Sequence, residues 1–280
     1  MNHLYIFTLN WNKANELNQL KETLLSNLTD IPFTWMIKDN GSTDDSCNII
    51  KSWDTANKQI NLFKYANNSQ NFSEGMNYLF YQATPKDNDY VLLLNNDVIF
   101  NDTTSIKNML SIINKDKSVG VVGARLLFTD TDTIQHYGVV FEKPHRLPMH
   151  YKIREATNKD CEKNRMFQVV TGAVLLMRAE DYRNVYKNDN GVCGMDEQFR
   201  WSFDDVDLCL AVNKNMKKKI ICCGKTNIFH ESSSSLKKNP VNKLFMNHNV
   251  NRLLEKWNGK YIVDKQLYLN DNKYNLYGNG

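Results

Sequence analysis

The chain has 280 residues, of which 41% are hydrophobic and 24% charged, as in ordinary soluble globular proteins. A net charge of +4 with scattered lysines does not indicate nucleic-acid binding, and no apolar run approaches the roughly 20 residues that a membrane helix needs. The six cysteines show no CxxC spacing and the start lacks a signal-peptide pattern, so we expect reduced thiols and a cytoplasmic protein.

The first half of the chain alternates short apolar strands with helical patterns. Leucines at helical spacing follow the first strand, Ser42 or Thr43 is predicted to cap a helix after the second, and residues 73–84 are predicted to be helical. Strands that alternate with helices predict right-handed crossovers and a mostly parallel central sheet flanked by helices, an α/β fold. The predicted strands are 4–9, 33–37, 60–65, 91–94 and 119–122.

The second half has a different character. We expect the tail at 264–280, which has mixed polarity, to be poorly ordered. The predicted elements are an apolar strand within 168–178, an acidic and aromatic loop at 194–207, a helix at 205–214, a strand at 219–223 and a helix at 241–257.

Polar residues follow three of the predicted strands. They are Thr8-Leu-Asn-Trp-Asn12, Lys38-Asp-Asn-Gly41 and Asn95-Asn-Asp97. Ligands of open parallel sheets bind outside the carboxyl ends of the strands. Three polar ends at one edge therefore predict one ligand-binding crevice more readily than three independent turns.

Two acidic residues at strand ends have two interpretations each. Asp97 is a candidate ligand for Mg²⁺ or Mn²⁺, which often bind one or two carboxylates together with phosphate oxygens. An Asx turn explains the Asn95–Asp97 triplet equally well. Asp39 either accepts the imide N–H of a uracil or thymine or stabilises the following Asn-Gly turn.

Further candidates lie in the second half. One of Asp204, Asp205 and Asp207 is a candidate general base, although capping of the predicted helix also explains the cluster. His230 is a candidate metal ligand only if a cation lies near Asp97. Trp201 either belongs to the core or stacks on a sugar. No GxSxG, Walker, GxGxxG or HExxH motif is present.

A set of short segments, taken in chain order over roughly residues 3–260, resembles family 2 glycosyltransferases. These are the inverting, nucleotide-sugar-dependent enzymes of GT-A fold. This sequence departs from the family pattern at Asn71 (for Gly), Asn95 (for an acid), Asn96 (for Pro) and Asp204 (for Glu). The matching segments are Asn10-Trp-Asn12, Lys38–Asp44, Asn71–Asn77, Leu93–Asp97, Gln135–Gly138, Thr171–Arg178, Gly194–Phe199, Asp204–Cys209 and the region of Trp257.

The resemblance implies a GT-A-like single domain with a smaller acceptor-side subregion. It divides the chain into a nucleotide-sugar-binding half at 1–125, an acceptor and catalytic half at 126–235, and a C-terminal helix and tail at 236–280. It implies Asp205 as catalytic base and Asp97 and His230 as metal ligands. The donor-binding residues it implies are Thr8, Asn10, Asn12, Asp39, Asn71, Asn77, Asn95 and Asn96. The acceptor-binding residues it implies are Asp196, Glu197, Trp201 and Asp204.

The implied reaction is a Mn²⁺- or Mg²⁺-dependent, inverting transfer of a hexose or deoxyhexose from a UDP-sugar or dTDP-sugar. The implied acceptor is a hydroxyl of a glycan, glycolipid or glycoprotein, in glycan biosynthesis.

The alternative is a non-catalytic sugar-nucleotide or carbohydrate-binding protein on the same fold, which the missing carboxylate at Asn95 favours. Retention of Asp97, Asp205 and His230 favours the enzyme. A nucleotidyltransferase would have a glycine- and lysine-rich loop after the first strand, which Asn10-Trp-Asn-Lys-Ala14 is not.

Overall fold

The computed structural model describes residues 2–57, 59–64, 71–186, 194–200, 202–231 and 240–278. The strands are β1 Leu4–Asn10, β2 Phe33–Asp39, β3 Ile60–Lys64, β4 Tyr90–Leu94, β5 Val98–Phe100, β6 Val119–Phe128, β7 Ile134–His136, β8 Val139–Glu142, β9 Leu147–His150, β10 Arg165–Phe167, β11 Val174–Arg178 and β12 Lys219–His230. The helices are α1 Ala14–Asn27, α2 Ser46–Ala56, α3 Phe72–Ala83, α4 Ser105–Lys115, α5 Ala179–Asn184, α6 Asp204–Met216, α7 Pro240–Trp257 and α8 Lys265–Asn270.

One central sheet contains strands from both halves of the chain, in the order β10-β12-β6-β11-β4-β1-β2-β3. Strand β5 pairs with β12 and β7 with β6, while β8 and β9 form a separate hairpin. The sheet has an apolar core on each face, and the neighbours Cys222 and Cys223 point into different cores, as alternation along a strand requires. The predicted single α/β domain with a helix-flanked sheet is confirmed.

The parallel character of the sheet is limited to part of it. Strands β3, β2, β1 and β4 are parallel neighbours, as predicted. Beyond β4 the sheet is mixed, because β11 runs antiparallel to both β4 and β6. Reversal of β11 brings the residues just before Val174 to the edge where β4 ends, since Val174 is opposite Leu94.

Several predicted boundaries need correction. Helix α2 begins at Ser46 after Asp45, not at Ser42 or Thr43, because Ser42 hydrogen-bonds the end of β2 instead. Strands β6 and β12 are longer than predicted, since both continue to the functional edge of the sheet. The expectation of a poorly ordered tail is wrong: α8 lies within it, and Tyr268 there is 1% exposed.

The C-terminal helix α7 is fixed to α6 through a buried carboxylate. Asp207 accepts hydrogen bonds from the Trp257 indole at 2.6 Å and the Tyr186 hydroxyl at 2.5 Å, and Lys256 lies 2.8 Å away. Burial raises the pKa of Asp207, although these three partners oppose the rise. Asp207 therefore has a structural role among the aspartates of α6.

Among the described residues no helix is both long and apolar enough to cross a membrane. The division of the chain at residue 125 falls inside β6, and the three-part division stays a prediction.

Candidate active site

The candidate site lies where β2, β1 and β4 end side by side. Asn10 and Asp39 are directly opposite each other at the ends of β1 and β2, and Asn95 follows β4. The three polar strand ends predicted to converge do converge: Asn10 Nδ2 donates to Asp39 Oδ2 at 2.9 Å, and Asn96 Nδ2 donates to Asn10 Oδ1 at 2.9 Å.

Strand pairing explains how Asp97 meets a histidine from far along the chain. Strand β5 starts right after Asp97 and pairs antiparallel with the end of β12, so that Val98 is opposite His230. The Nε2 atom of His230 lies 3.1 Å from Asp97 Oδ1 and 3.1 Å from Asn95 Nδ2. The predicted proximity of Asp97 and His230 is therefore present.

Gln135 of β7 fixes the orientation of the His230 ring. Its Nε2 donates to the main-chain carbonyl of His230 at 2.8 Å, which leaves Oε1 facing His230 Nδ1 at 2.5 Å. An amide oxygen only accepts hydrogen bonds, so Nδ1 carries the proton. In the neutral ring, Nε2 then presents its lone pair toward Asp97, which is how metal-binding histidines are commonly held.

Lys13 brings a positive charge to the same place. Its Nζ lies 2.8 Å from Glu231 Oε2, 3.1 Å from Glu16 Oε1 and 3.7 Å from Asp97 Oδ2. Burial alone would raise the pKa of Asp97, but His230 in its protonated form, together with the charge of Lys13, outweighs burial and lowers it. Asp97 is thus held as a carboxylate between two nitrogen groups.

The pair of Asp97 and His230 fits a divalent cation. Asp97 Oδ1 is buried and accepts no hydrogen bond of good geometry, and it faces the lone pair of His230 Nε2. Carboxylate oxygen and imidazole nitrogen are both donors for such ions. The described residues contain no group of three or more His, Cys, Asp or Glu side chains that could hold a metal. Further ligands would therefore come from phosphate oxygens and water.

Asp205, in the first turn of α6, is linked to this pair through the segment Thr171–Ala173. Gly172 N donates to Asp205 Oδ2 at 2.9 Å, and Val206 N donates to its Oδ1 at 2.8 Å. The next residue, Ala173, accepts from Asn95 N at 2.9 Å. The reversed direction of β11 thus places Asp205 beside the residues that follow β4.

Asp204 lies next to Asp205 and is partly buried. Burial, followed by the charge of Asp205, raises the pKa of Asp204 to about 7. Two adjacent carboxylates with unequal surroundings are a common arrangement at functional sites. Asp204 therefore keeps its proton to a higher pH than an ordinary aspartate does.

Three predicted donor-binding residues are buried beneath the site, and their contact with a nucleotide stays a prediction. Thr8, Asn10 and Asp39 are all 0% exposed. Thr8 Oγ1 accepts from the Trp35 indole at 3.0 Å. Asp39 accepts from the amides of Gly41 and Ser42, from the Ser42 hydroxyl and from Asn10. Of the two interpretations of Asp39, the structure favours stabilisation of the turn.

Those hydrogen bonds also determine the charge of Asp39. Burial by itself would raise its pKa, but the hydroxyl and amide of Ser42 and the amide of Asn10 outweigh burial and lower it. Asn12 is partly exposed and accepts from Thr43 N at 2.7 Å with its side chain. Asn95 and Asn96 are partly exposed at the site and remain candidates for ligand contact.

Asn71 and Asn77 hold the loop at 194–200, and their contact with the donor stays a prediction. Asn71 caps α3, and its Nδ2 donates to Glu197 O at 2.8 Å. Asn77 Nδ2 donates to Met195 O and Glu197 Oε1, both at 2.9 Å. Its Oδ1 accepts from Met195 N and the Tyr182 hydroxyl. Both amides are committed to positioning this loop.

The predicted acceptor-binding residues have different surroundings. Asp196 forms ion pairs with Arg252 at 2.6 Å and Lys256 at 2.7 Å, so it joins the loop to α7, and its contact with the acceptor stays a prediction. Glu197 is exposed, Asp204 begins α6, and Trp201 lies outside the described residues.

Sequence reasoning assigned no role to three residues of the site. Gln135 stood in a matching motif, but its partner His230 is distant in sequence. Lys13 and His150 carry no local pattern that separates them from other lysines and histidines. Only the pairing of β6 with β7 and the β8–β9 hairpin bring Gln135 and His150 to the site.

The chain resembles glycosyltransferases in sequence. The model of the family "Glycosyl transferase family 2" matches residues 5–183. The O-antigen biosynthesis protein RfbC of Myxococcus xanthus is 27% identical over 161 residues, which cover 52% of this chain and 11% of that protein. The chain thus spans a small part of this curated relative.

Solved structures of glycosyltransferases share the fold. GalNAc-T7 with UDP, GalNAc and Mn²⁺ has a TM-score of 0.66 at 11% identity, covering 93% of this chain and 49% of that one. The mannosyltransferase PcManGT from Pyrobaculum calidifontis, in complex with GDP-Man and Mn²⁺, scores 0.58 at 11% identity and covers 95% and 69%. S. aureus TarS 1–349 scores 0.56 at 14% identity and covers 95% and 77%. The likeness establishes the GT-A fold.

The raised pKa of Asp204 predicts a pH-dependent stability. The folded protein binds this proton more tightly than the unfolded chain, in which the aspartate has its ordinary pKa of 3.8. The stabilisation by the proton is complete below that ordinary value and is lost as the pH rises toward about 7. Asp204→Asn should therefore raise Tm more at pH 8 than at pH 5, by about 3 °C or more, in thermal unfolding followed by circular dichroism.

Asp30→Asn is the matched control, because the Asp30 side chain is 84% exposed. It should give the same difference from wild type at both pH values. An equal effect of Asp204→Asn at pH 5 and pH 8 would contradict the raised pKa.

Proposed function

The chain belongs to glycosyl transferase family 2, and from that premise we propose that it transfers a sugar from a nucleoside diphosphate to an acceptor hydroxyl with inversion. The observation that carries the proposal is the convergence of Asp97, His230 and Asp205 at one edge of the sheet. Segment Thr171–Ala173 connects the two ends of this arrangement through hydrogen bonds at 2.9 Å.

The donor end of the site is suited to a diphosphate. Asp97 and His230 would hold a divalent cation, and Gln135 would keep the His230 lone pair directed at it. When bound, Mn²⁺ or Mg²⁺ would neutralise negative charge on the departing diphosphate. Lys13 Nζ, 3.7 Å from Asp97 Oδ2, adds a fixed positive charge at the same end.

Asp205 is the proposed general base. Its two oxygens accept backbone N–H groups from Gly172 and Val206, which hold the carboxylate in one orientation. Each oxygen retains lone-pair capacity for an acceptor hydroxyl. Asp205 would take the hydroxyl proton as the oxygen attacks the anomeric carbon from the face opposite the diphosphate, as carboxylates do for water in inverting glycosidases.

The donor is proposed to be a UDP-sugar or dTDP-sugar, and the acceptor a glycan, glycolipid or glycoprotein in glycan biosynthesis. The biosynthetic role is supported by the similarity to an O-antigen biosynthesis protein. The identity of the donor's nucleobase is the finer part of the proposal. Asp39, which the resemblance places against the nucleobase, accepts hydrogen bonds from its own turn in this structure. A guanosine donor therefore belongs in the test.

A non-catalytic binding protein is the second candidate. Asn95 lacks the carboxylate that a second metal contact would need, and its Nδ2 faces His230. Binding of donor and metal without transfer to any acceptor would favour this candidate over the enzyme.

A thermal-shift panel tests the donor end. UDP-, dTDP- and GDP-sugars are each added with Mn²⁺, Mg²⁺ or chelator. A ligand at 100 times its Kd stabilises the folded protein by about 2.7 kcal/mol, and we expect such a thermal shift for a pyrimidine donor only with metal.

Two substitutions test the metal site itself. Asp97→Asn should abolish the metal-dependent part of the thermal shift. Gln135→Leu should weaken metal affinity about 10–100-fold, as loss of a partner that orients a metal ligand commonly does.

Asp30→Asn serves again as control and should keep the full shift. A shift of equal size in metal and in chelator, for every donor, would disprove the metal site at Asp97 and His230.

Asp205→Asn tests the base. Release of nucleoside diphosphate should fall by at least about 10²-fold, because the amide cannot accept the proton, while the donor-induced thermal shift stays unchanged. Turnover like that of wild type would remove Asp205 from this role.

Gly172→Ala tests the positioning of the base without changing its chemistry. A Cβ at Gly172 would lie 3.2 Å from Asp205 Cβ and 3.7 Å from the Phe72 ring, so Asp205 must move by a few tenths of an ångström. Small displacements of reacting groups are costly, and we expect kcat to fall about tenfold or more with an unchanged donor shift. Circular dichroism controls for folding, and unchanged kcat would show that the position of Asp205 tolerates this shift.

A further inference from the structure

Histidines at positions 136, 150 and 230 surround Gln135 and the segment that follows it. The side chain of Gln135 holds His230, and its main-chain carbonyl lies 2.8 Å from His150 Nδ1. The rings of His136 and His150 are 5.1 Å apart and nearly perpendicular. The proposed function uses only His230, which leaves the other two to be explained.

His136 has a structural role. It is 0% exposed, and its Nδ1 lies 2.9 Å from Ala124 O. Its Nε2 accepts from Gly138 N at 3.2 Å and Thr171 N at 3.1 Å. Both ring nitrogens are therefore used to join β6 to the segment that positions Asp205.

His150 uses only one nitrogen in this way. Since a carbonyl only accepts hydrogen bonds, Nδ1 of His150 carries a proton and donates it to Gln135 O. The residue is partly exposed, and no residue in the described part of the chain hydrogen-bonds Nε2. Burial lowers the pKa of His150, although the bond to Gln135 and the charge of Asp205 oppose this. The neutral ring thus presents the Nε2 lone pair as a hydrogen-bond acceptor.

His150 is connected to the proposed base through His136. Thr171 N contacts His136, which packs against His150, and the next residue, Gly172, donates to Asp205. An acceptor sugar whose hydroxyl reaches Asp205 would extend along these contacts toward His150.

We propose that His150 binds the sugar acceptor, its Nε2 accepting a hydrogen bond from a hydroxyl next to the one that attacks. The proposal rests on the proposed function and names the acceptor chemistry: a vicinal diol, as in a glycan, with one hydroxyl on Asp205 and its neighbour on His150. Such a contact positions the acceptor and does not take part in proton transfer.

Two substitutions separate this role from a structural one. The amide nitrogen of His150→Asn can replace Nδ1 and keep the bond to Gln135 O, but nothing replaces Nε2. The longer side chain of His150→Gln places an amide where Nε2 lies. The exposed His145 provides the control, His145→Asn.

Steady-state kinetics use UDP- and dTDP-sugars with Mn²⁺ and a panel of p-nitrophenyl glycosides as acceptors. We expect His150→Asn to lower kcat/KM for the glycoside about tenfold, the value of one hydrogen bond, with donor KM and Tm unchanged. His150→Gln should recover most of the loss, and His145→Asn should match wild type. Unchanged acceptor kinetics in His150→Asn, or equal losses in the Asn and Gln variants, would overturn the proposal.

Nuclear magnetic resonance of ¹⁵N-histidine-labelled protein provides a measurement that needs no turnover. The His150 ring should be protonated at Nδ1 only, and its Nε2 resonance should move when p-nitrophenyl glycoside is added with UDP and diamagnetic Mg²⁺. Protonation at Nε2, or no shift with any glycoside of the panel, would overturn the contact even in an active enzyme. A shift without sugar transfer would support the contact and count against the proposed reaction.

Discussion

The antiparallel pairing of β12 with β5 is the constraint on which the candidate site depends. It places His230 opposite Val98 and so beside Asp97, although the chain between them forms most of the second half of the fold. The pairing occurs at the end of a long strand that contributes Ile221, Cys223 and Ile228 to one apolar core, so apolar burial in the sheet stabilises the position of both polar side chains. The proposed metal-binding pair is thus held by the same interactions that hold the fold.

Buried amides hold the rest of the site together. Asn10 connects Asp39 to Asn96, and Asn77 connects α3 to the loop at 194–200 with all of its hydrogen-bonding groups in use. An unpaired buried polar group is costly, so each of these networks specifies one arrangement of its strands and loops. Asparagine suits this task because it donates and accepts at once without a charge. Residues that sequence patterns assign to a ligand can therefore act one layer beneath it.

The sequence predicted the core strands, the convergence of polar strand ends and the meeting of Asp97 with His230. The strands and their convergence follow from apolar periodicity and from the rule that parallel strands end at one edge, whereas the meeting of Asp97 with His230 was implied by the family resemblance. Exposure could not be predicted, because the pattern around Thr8 or Asp39 is the same whether a side chain faces a ligand or a neighbouring turn. The positions of Gln135 and His150 at the site were also hidden, since they depend on a short antiparallel strand and a hairpin whose positions no local pattern specifies.

The aspartates of α6 show how surroundings give one residue type three tasks. Asp204 is partly buried beside another carboxylate, and its pKa rises to about 7. Asp205 has both oxygens on backbone amides. Asp207 faces the opposite direction, where Lys256, Trp257 and Tyr186 surround it. In a helix, successive side chains point about 100° apart, so adjacent acids must meet different neighbours. The three aspartates therefore form one motif in sequence but differ in the folded protein. Asp204 has a raised pKa, Asp205 is the proposed catalytic base, and Asp207 holds α7 against α6.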